Sequence, residues 1–489
     1  MATRQTTTLR PTFNGSLSIE ARPERLSAHA GVLLLRELDQ RLGLLRSLAD
    51  NLHDPRDPSR VLHPLVELLR QRVFLIAAGR NHQDDSDQLR DDPACRLAVS
   101  QSRGVTPLLS PPDGFRVFGL SSQPSQSRFL DILATDGNLQ ALRAGLFDSS
   151  LRSIRAEGSS SRIARAILDV DSFPIEAHGH QPGSAYNGHY RCQCFHPLAV
   201  FLSNTSHFLD LDLRPGNVHT ADGAVGTIVS CLDRLEEIAP TAAVRGDAGF
   251  PTEELMGALE QRDVEYAFRL RKNSKLAEIA SPLLRRPAGR PPCEPRTWCH
   301  DVWYQAQSWS RPRRVVIVVE EVPGELFLRW YAIVTSWNSV VRSGEDILEF
   351  YRARGTMEAH LGELAGLDPA LSSTLRPKCH VRGRAPEVRG SGRSEDEAER
   401  ANAATLHLYG LAYNLLNTMR RVQARAVAPG APIGARIRTV RLSLLVVAAR
   451  VLISARRVTV VLERRTAELW RHFWRELDRL SPVPVFDSS

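Results

Sequence analysis

The sequence has few cysteines and no long apolar segment. Its 489 residues include seven cysteines, an odd number spread along the chain, which argues against a disulfide framework and for a reducing compartment. The longest apolar stretch lies near Leu442–Val451, contains Arg450 and falls short of a membrane span. The polar segment Met1–Arg10 lacks the apolar core of a signal peptide. The sequence therefore predicts a cytoplasmic protein without a membrane segment.

Aromatic residues and lysine are also scarce. Aromatic residues make up 6% of the chain and hydrophobic residues 42%, which is typical of a globular rather than a disordered protein. Arginine supplies nearly all of the 63 basic residues, and its guanidinium suits bidentate phosphate contacts better than the ammonium of lysine does. The net charge of +8 permits nucleic-acid binding without requiring it.

The residue pattern divides the chain into three parts. Residues 1–160 are polar, with apolar positions at helical spacing in Ala30–Leu52 and Val61–Ala78. Residues 161–370 alternate β-type and helical segments, which predicts an α/β core with a β-rich insertion over about 276–340. Residues 371–489 return to helical patterns, the last of them over Ile437–Trp474. The predicted fold class is therefore α/β, flanked by an N-terminal and a C-terminal helical region.

Three acidic residues stand where such a core can bring them together. Asp171 ends one β-type run, Asp247 lies near the end of another, and Glu358 lies on a predicted helix over 344–366. Phosphodiester cleavage by two metal ions, which sit about 3.5–4 Å apart, needs several carboxylates at one point. Mg²⁺ prefers oxygen ligands of this kind. Asp169 shares the strand face of Asp171, so spacing alone does not choose between these two residues.

Tyr351, Arg354 and Glu358 follow the pattern Y-x2-R-x3-E, and offsets of three and seven put them on one face of a helix. This pattern resembles the start of the Y-R-E-K signature of insertion-sequence DDE transposases. Residues 168–190 and 244–250 resemble the first and second Asp blocks of that family, and further blocks resemble residues 79–99, 121–128, 213–219 and 411–417. The resemblance thus spans nearly the full chain. It implies an RNase H-like core with a β insertion between the second Asp and the Glu.

The resemblance also implies the roles of individual residues. It favours Asp171 over Asp169, because a small hydroxyl residue follows the family's first Asp. The implied catalytic and metal-binding residues are Asp171, Asp247 and Glu358, and the implied cofactor is Mg²⁺, for which Mn²⁺ can substitute. The implied DNA-binding residues are Tyr351 and Arg354, which would contact phosphate, and Trp330, which would stack on a flipped base in competition with Trp309 and Trp337.

The implied activity is metal-dependent strand hydrolysis and transfer at transposon ends, as in cut-and-paste transposition. Its partners would be terminal inverted repeats and target DNA, bound by a homodimer, in a prokaryotic cytoplasm and at the nucleoid when on DNA. Residues 1–160 would recognise the transposon end. The family's Lys position holds Ala365 here, which keeps open a non-catalytic DNA-binding protein of transposase descent. A metal-dependent nuclease that never joins ends is a further alternative.

A group of histidines and cysteines suggests a competing site. The residues His178, His180, Cys192, Cys194 and His196 have the composition of a zinc cluster, but their spacing is not a standard one. The competing interpretation is a polar connection between strands near the carboxylates. The non-standard spacing favours the polar connection over a zinc site.

Overall fold

The computed structural model describes residues 9–14, 16–20, 24–109, 119–158, 163–179, 181–290, 292–369, 371–373, 393–427 and 435–483. Their helices are α1 (Val32–Leu42), α2 (Leu44–Asp50), α3 (Leu65–Ala77), α4 (Asp85–Gln88), α5 (Pro93–Val99), α6 (Gln123–Leu133), α7 (Asp136–Ala156), α8 (Ala224–Leu235), α9 (Glu253–Glu260), α10 (Ser274–Ala280), α11 (Gly344–Arg352), α12 (Gly355–Ala365), α13 (Glu395–Val427), α14 (Ile437–Val440) and α15 (Arg464–Asp478). Their strands are β1 (Leu26–Ser27), β2 (Ala166–Ser172), β3 (Ile175–Glu176), β4 (Ala185–Asn187), β5 (Cys192–Phe195), β6 (Leu198–Leu202), β7 (His207–Asp212), β8 (Ala242–Gly246), β9 (Glu265–Leu270), β10 (Arg296–Tyr304), β11 (Arg313–Glu321), β12 (Arg329–Thr335), β13 (Ala449–Ser454) and β14 (Arg457–Leu462).

A mixed sheet organises the centre of the described chain. Its strand order is β10-β11-β12-β9-β8-β2-β6-β7. The β2–β8 and β8–β9 pairs are parallel, and the other pairs are antiparallel. Helices between the strands cover the sheet, so the predicted α/β class is confirmed at this level. The three strands of the predicted insertion do not form a sheet of their own, because β12 pairs with β9 and extends the central sheet.

Apolar side chains cover both faces of this sheet. On one face, Leu168 and Val170 of β2 join Val244 of β8 in a core with helices α8 and α9. On the other face, Ala199 and Phe201 of β6 belong to a second core, which also contains residues of α1–α3, α5–α7 and α13. The boundary predicted near residue 160 therefore separates kinds of secondary structure rather than separate hydrophobic cores.

The long helix α13 is fastened to the edge of the sheet by two asparagines. The amide of Asn414 accepts a hydrogen bond from Phe208 N at 2.9 Å and donates one to Phe208 O at 2.9 Å. Asn417 donates to Thr205 O at 2.9 Å. These bonds satisfy backbone groups that the edge strand β7 would otherwise leave unpaired. Although α13 spans 33 residues, no helix in the described ranges is long and apolar enough to cross a membrane.

Two helical predictions need correction. The helix predicted over 344–366 is broken at Ala353 and Arg354 into α11 and α12. Gly355 follows the break, and glycine is a poor helix former. Tyr351, at the end of α11, and Glu358, in the first turn of α12, therefore lie on different helices rather than on one helical face.

The C-terminal region is not purely helical either. Strands β13 and β14 form a hairpin inside the segment predicted as a helix over 437–474, and β1 pairs with β13. Consecutive β-branched residues favour a strand there, since the side chains of Val458, Val460 and Val461 lose rotamer freedom in a helix. Ala455 takes the left-handed conformation at the turn, with φ of 53°.

A buried arginine holds β11 against α9. Arg313 is 4% exposed and donates to both oxygens of Glu260, at 2.7 and 3.0 Å, and to Glu253 at 2.6 Å. Tyr266 donates to Glu260 at 2.7 Å. Burial would raise the pKa of Glu260, but the hydrogen bonds from Arg313, Tyr266 and Arg311 outweigh burial and lower it to about 2. This carboxylate therefore stabilises the attachment of the insertion strands to the core.

We expect Glu260→Gln to destabilise the fold in a pH-dependent way. The folded-state pKa of Glu260 is below its ordinary value of 4.5, so its contribution is present above pH 4.5 and is lost as the pH falls towards 2. At pH 7 the substitution should lower the free energy of unfolding by up to about 3 kcal/mol. Thermal unfolding of both proteins between pH 7 and pH 3 measures it. The matched control is Glu254→Gln, which replaces an exposed neighbour. If the free energy of unfolding of Glu260→Gln differed from that of the natural protein by the same amount at every pH, the expectation would be wrong.

Candidate active site

One face of the sheet carries two rows of side chains where β2, β8 and β9 end. Asp169 of β2 and Arg245 of β8 are register partners in the inner row. Two residues further along, Asp171 and Asp247 follow them, and since strand side chains alternate, they lie on the same face as the inner row. Arg269 continues this outer row on β9, because Phe268 is the partner of Gly246. The outer row thus runs from Asp171 through Asp247 to Arg269.

The inner row is a buried ion pair that joins three elements of the fold. Arg245 is 2% exposed and Asp169 is fully buried, and they form two hydrogen bonds of 2.6 and 2.8 Å. The guanidinium also donates to Ser203 Oγ at 2.8 Å and to the carbonyl of Phe350 at 2.7 Å. It stacks over the Phe350 ring at 4.9 Å. Arg245 therefore ties β2 and β8 to the end of α11, next to Tyr351.

The outer row opens into a cavity of about 470 Å³. Asp171, Asp247 and Glu358 all line it, so the structure brings the three sequence-predicted carboxylates to one place. The other lining residues are Ala248, Arg269, Tyr351, Arg352, Arg354 and Gly355. Asp169 is not among them, and its two oxygens are held by Arg245.

Arg354 lies between two of the carboxylates. Its Nη2 is 2.5 Å from Asp171 Oδ2 and its Nη1 is 3.4 Å from Glu358 Oε1. Burial raises the pKa of Asp171 to about 6; Arg354 opposes this rise, while Asp247 and Glu358 add to it. The negative charge in the cavity is therefore only partly compensated by the guanidinium, which is itself only 7% exposed.

Helix α12, which carries Glu358, is anchored by the C-terminal helices. Glu363 accepts hydrogen bonds from Arg420 of α13 and from the backbone N–H of Ile437, each at 3.0 Å. His360 stacks on Phe201 of β6, with ring centroids 4.9 Å apart. These contacts fix the side of α12 that faces away from the cavity. They leave the Glu358 side chain 68% exposed at the start of the helix.

The three carboxylates suit a divalent cation by their chemistry, since oxygen ligands are what Mg²⁺ and Mn²⁺ take in such sites. In the described ranges, however, no three acidic, histidine or cysteine side chains converge closely enough to hold a metal ion as they stand. The guanidinium of Arg354 occupies the space between Asp171 and Glu358 instead. The zinc interpretation of the His and Cys group also finds no such cluster in the described residues, and His180 lies outside them.

The other predicted residues are placed as follows. Tyr351 lines the cavity, half-buried. Trp330 does not line it, because it lies on the opposite face of β12 from Tyr331, with Lys272 over its ring at 4.7 Å. Its competitors Trp309 and Trp337 are 6% and 3% exposed. Ala365 is exposed at the last residue of α12 and lies outside the cavity lining.

Sequence reasoning missed Arg245, Arg269 and Arg352. Arg245 precedes Asp247 by two residues on a buried strand, and a charged residue in such a strand signals a paired partner. Arg269 could have been found from the expectation that neighbouring parallel strands end at the same edge of the sheet, where sites form. Arg352 is bound to Glu320 at 2.8 Å, a contact that no sequence pattern reveals.

We expect the Asp169–Arg245 pair to be strongly coupled. Arg245→Met or Asp169→Asn alone leaves a buried polar partner unsatisfied and should cost about 3–5 kcal/mol. The double variant should cost less than the sum of the two single variants, as denaturant unfolding followed by tryptophan fluorescence can measure. If the single effects simply add up, the pair does not hold this part of the sheet together.

One known protein family matches most of this chain. The model of the family described as "Transposase DDE domain group 1" matches residues 9–367. A solved structure of a piggyBac transposase synaptic complex with hairpin DNA is 12% identical, with 85% of this chain and 80% of that chain covered and a TM-score of 0.40. No curated protein sequence matches. Since the family model covers well over half of the sequence and contains Asp171, Asp247 and Glu358, the chain belongs to the DDE transposase domain group 1 family.

Proposed function

We propose that this protein is a DNA transposase that hydrolyses and transfers DNA strands at transposon ends, with Asp171, Asp247 and Glu358 as its catalytic carboxylates. The observation that carries the proposal is the shared cavity of these three side chains in a chain of the DDE family. They reach it from the ends of β2 and β8 and from the first turn of α12. We assign β2, β6, β7, β8 and β9 to an RNase H-like core.

The same three residues would hold Mg²⁺ or Mn²⁺. A bound cation of this kind activates a water or hydroxyl nucleophile and stabilises the leaving oxygen of a phosphodiester. The chain's own contribution is to hold Asp171 and Asp247 at one edge of the sheet and Glu358 beside them on α12. Asp171 takes the ligand role and Asp169 does not, because Asp169 is buried and fully engaged with Arg245.

Arg354 has two roles in this proposal. Without a cation, its guanidinium offsets the repulsion between Asp171 and Glu358. Asp171 and Glu358 would have to exchange this guanidinium for a cation in order to hold one, and Arg354 would then bind a DNA phosphate at the rim of the cavity, with Tyr351 beside it.

Further DNA contacts complete the proposal. Residues 1–160 recognise the terminal inverted repeats, and the protein acts as a homodimer on transposon and target DNA. Trp330 stacks on a flipped base from its half-buried position on β12. The exposed Leu326 and Phe327 lie just before this strand and would extend such an apolar contact.

We expect Asp171→Asn, Asp247→Asn and Glu358→Gln each to reduce DNA cleavage to below about one thousandth of the natural rate. Binding to DNA should remain, because these substitutions remove no positively charged side chain. The substrate is the DNA that flanks the protein's own gene, incubated with Mg²⁺. Denaturing gels then resolve nicked, hairpin and joined products.

The matched control is Glu349→Gln, an exposed acidic residue of α11 outside the cavity. It should cleave like the natural protein. Equal cleavage by the three cavity variants would contradict the catalytic assignment. Binding without any cleavage by the natural protein would favour the non-catalytic alternative, and nicks without joined products would favour a nuclease.

We expect Arg354→Gln to raise the affinity for Mn²⁺. Removing the guanidinium removes a competing cation from between two carboxylates, which should increase the affinity about tenfold or more. Isothermal titration calorimetry without DNA measures this directly. Arg352→Gln is the control, since Arg352 lines the same cavity but is bound to Glu320. An equal or larger increase in the control would mean that Arg354 does not compete with the metal.

A further inference from the structure

Three arginines line the carboxylate cavity, and two of them are already paired. Arg354 is bound to Asp171 and Glu358. Arg352 is bound to Glu320 of β11 at 2.8 Å. Their charges are therefore largely neutralised by carboxylates of the same chain.

Arg269 differs from the other two. Among the residues that the structure describes, it has neither an ion pair nor a hydrogen bond through its side chain, and it is exposed. Its guanidinium lies over the ring of Tyr331, with Cζ 4.9 Å from the ring centroid. Such a contact orients the planar guanidinium and still leaves its N–H groups free to donate.

The position of Arg269 follows from the strand register. β9 is an interior strand of the sheet, paired with β8 on one side and β12 on the other. Arg269 is the residue after Phe268, just as Asp247 is the residue after Gly246, its partner. It therefore leaves the sheet beside Asp247. Tyr331 lies on the same face, because Ile333 is the direct partner of Arg269 and strand side chains alternate.

A free guanidinium beside three carboxylates is not explained by the fold. The carboxylates of the cavity do not pair with it. A planar cation with free donors is suited to the two non-bridging oxygens of a phosphodiester. A substrate strand that presents its reacting phosphorus to Asp171 and Asp247 would bring a phosphate within the same cavity.

We infer that Arg269, oriented by Tyr331, binds a backbone phosphate of the DNA strand being cut. This inference rests on the proposed function, since it names a substrate contact of that same site. It also places a phosphate-binding cation on β9, whereas the family resemblance expects one on α12 at the position of Ala365. The ligand is a DNA phosphate next to the scissile bond rather than a base.

The test compares the full-length natural protein with Arg269→Gln and Arg269→Lys. The probe is a duplex from the DNA that flanks the protein's own gene, and its binding is measured across a salt series with Ca²⁺ present in place of Mg²⁺. Losing one phosphate contact should flatten the slope of log affinity against log salt by about 0.9. At moderate salt Arg269→Gln should bind about tenfold more weakly. Arg269→Lys should recover part of this loss.

A second arm identifies the phosphate. Duplexes with a single neutral methylphosphonate at successive positions near the cleaved end should weaken binding by the natural protein. At one of these positions, the methylphosphonate should not weaken binding by Arg269→Gln, because this variant already lacks the contact to that phosphate. The control Arg471→Gln removes an exposed arginine of α15, which does not line the cavity, and it should lose affinity at that same position as the natural protein does.

The outcomes separate the inference from the proposed function. Unchanged affinity and salt slope in Arg269→Gln would overturn the inference, while cleavage by the natural protein would leave the proposed function standing. Equal losses in Arg269→Gln and Arg471→Gln would also overturn it, since they would reflect only net charge. A natural protein that binds no DNA would overturn both. Circular dichroism of all variants checks that each one is folded.

Discussion

The arrangement of the site depends on one buried ion pair. Asp169 and Arg245 are almost fully buried, and charges removed from water are costly unless every donor and acceptor is satisfied. That requirement fixes β2 against β8 and also the end of α11, because the remaining N–H groups of Arg245 bind Ser203 and Phe350. The guanidinium of Arg245 thus stabilises both the register of β2 against β8 and the packing of α11 on these strands.

Two residues beyond this ion pair, at the ends of the same strands, the electrostatic environment is different. Asp171 and Asp247 follow the paired residues Asp169 and Arg245 by two positions on their chains, and both line the open cavity together with Glu358. The pKa of Asp171 is raised to about 6 by burial, and the other two carboxylates add to the rise. Such uncompensated charge lowers stability, and it is the condition under which a cation binds well. Because the charges of Asp169 and Arg245 cancel, the inner row adds no net charge to that of the outer row.

The sequence predicted the parts of the fold that depend on local pattern. The strands that carry Asp171 and Asp247 follow from the apolar pattern. The extension of the central sheet by β10–β12 could not be predicted, because pairing β12 with β9 is a long-range choice with no local signal. The β13–β14 hairpin was missed because its turn holds Ala455, not the Gly or Asn that marks such turns. The burial of Arg354 against Asp171 could not be predicted either, because it depends on how α12 packs beside β2.

Glu358 shows why a catalytic position depends on regions far from it in sequence. Helix α12 is short, with 11 residues, and isolated helices of that length are marginal in water. It is held through Glu363 by Arg420 of α13. Helix α13 is held in turn by the hydrogen bonds of its own Asn414 to Phe208 of β7 and by the core that it shares with α1–α3 and α5–α7. The N-terminal helices proposed to bind the transposon end and the helix that positions Glu358 therefore pack in one continuous core. Glu358 is therefore positioned by packing among helices from distant parts of the chain, whereas Asp171 and Asp247 are positioned by the sheet itself.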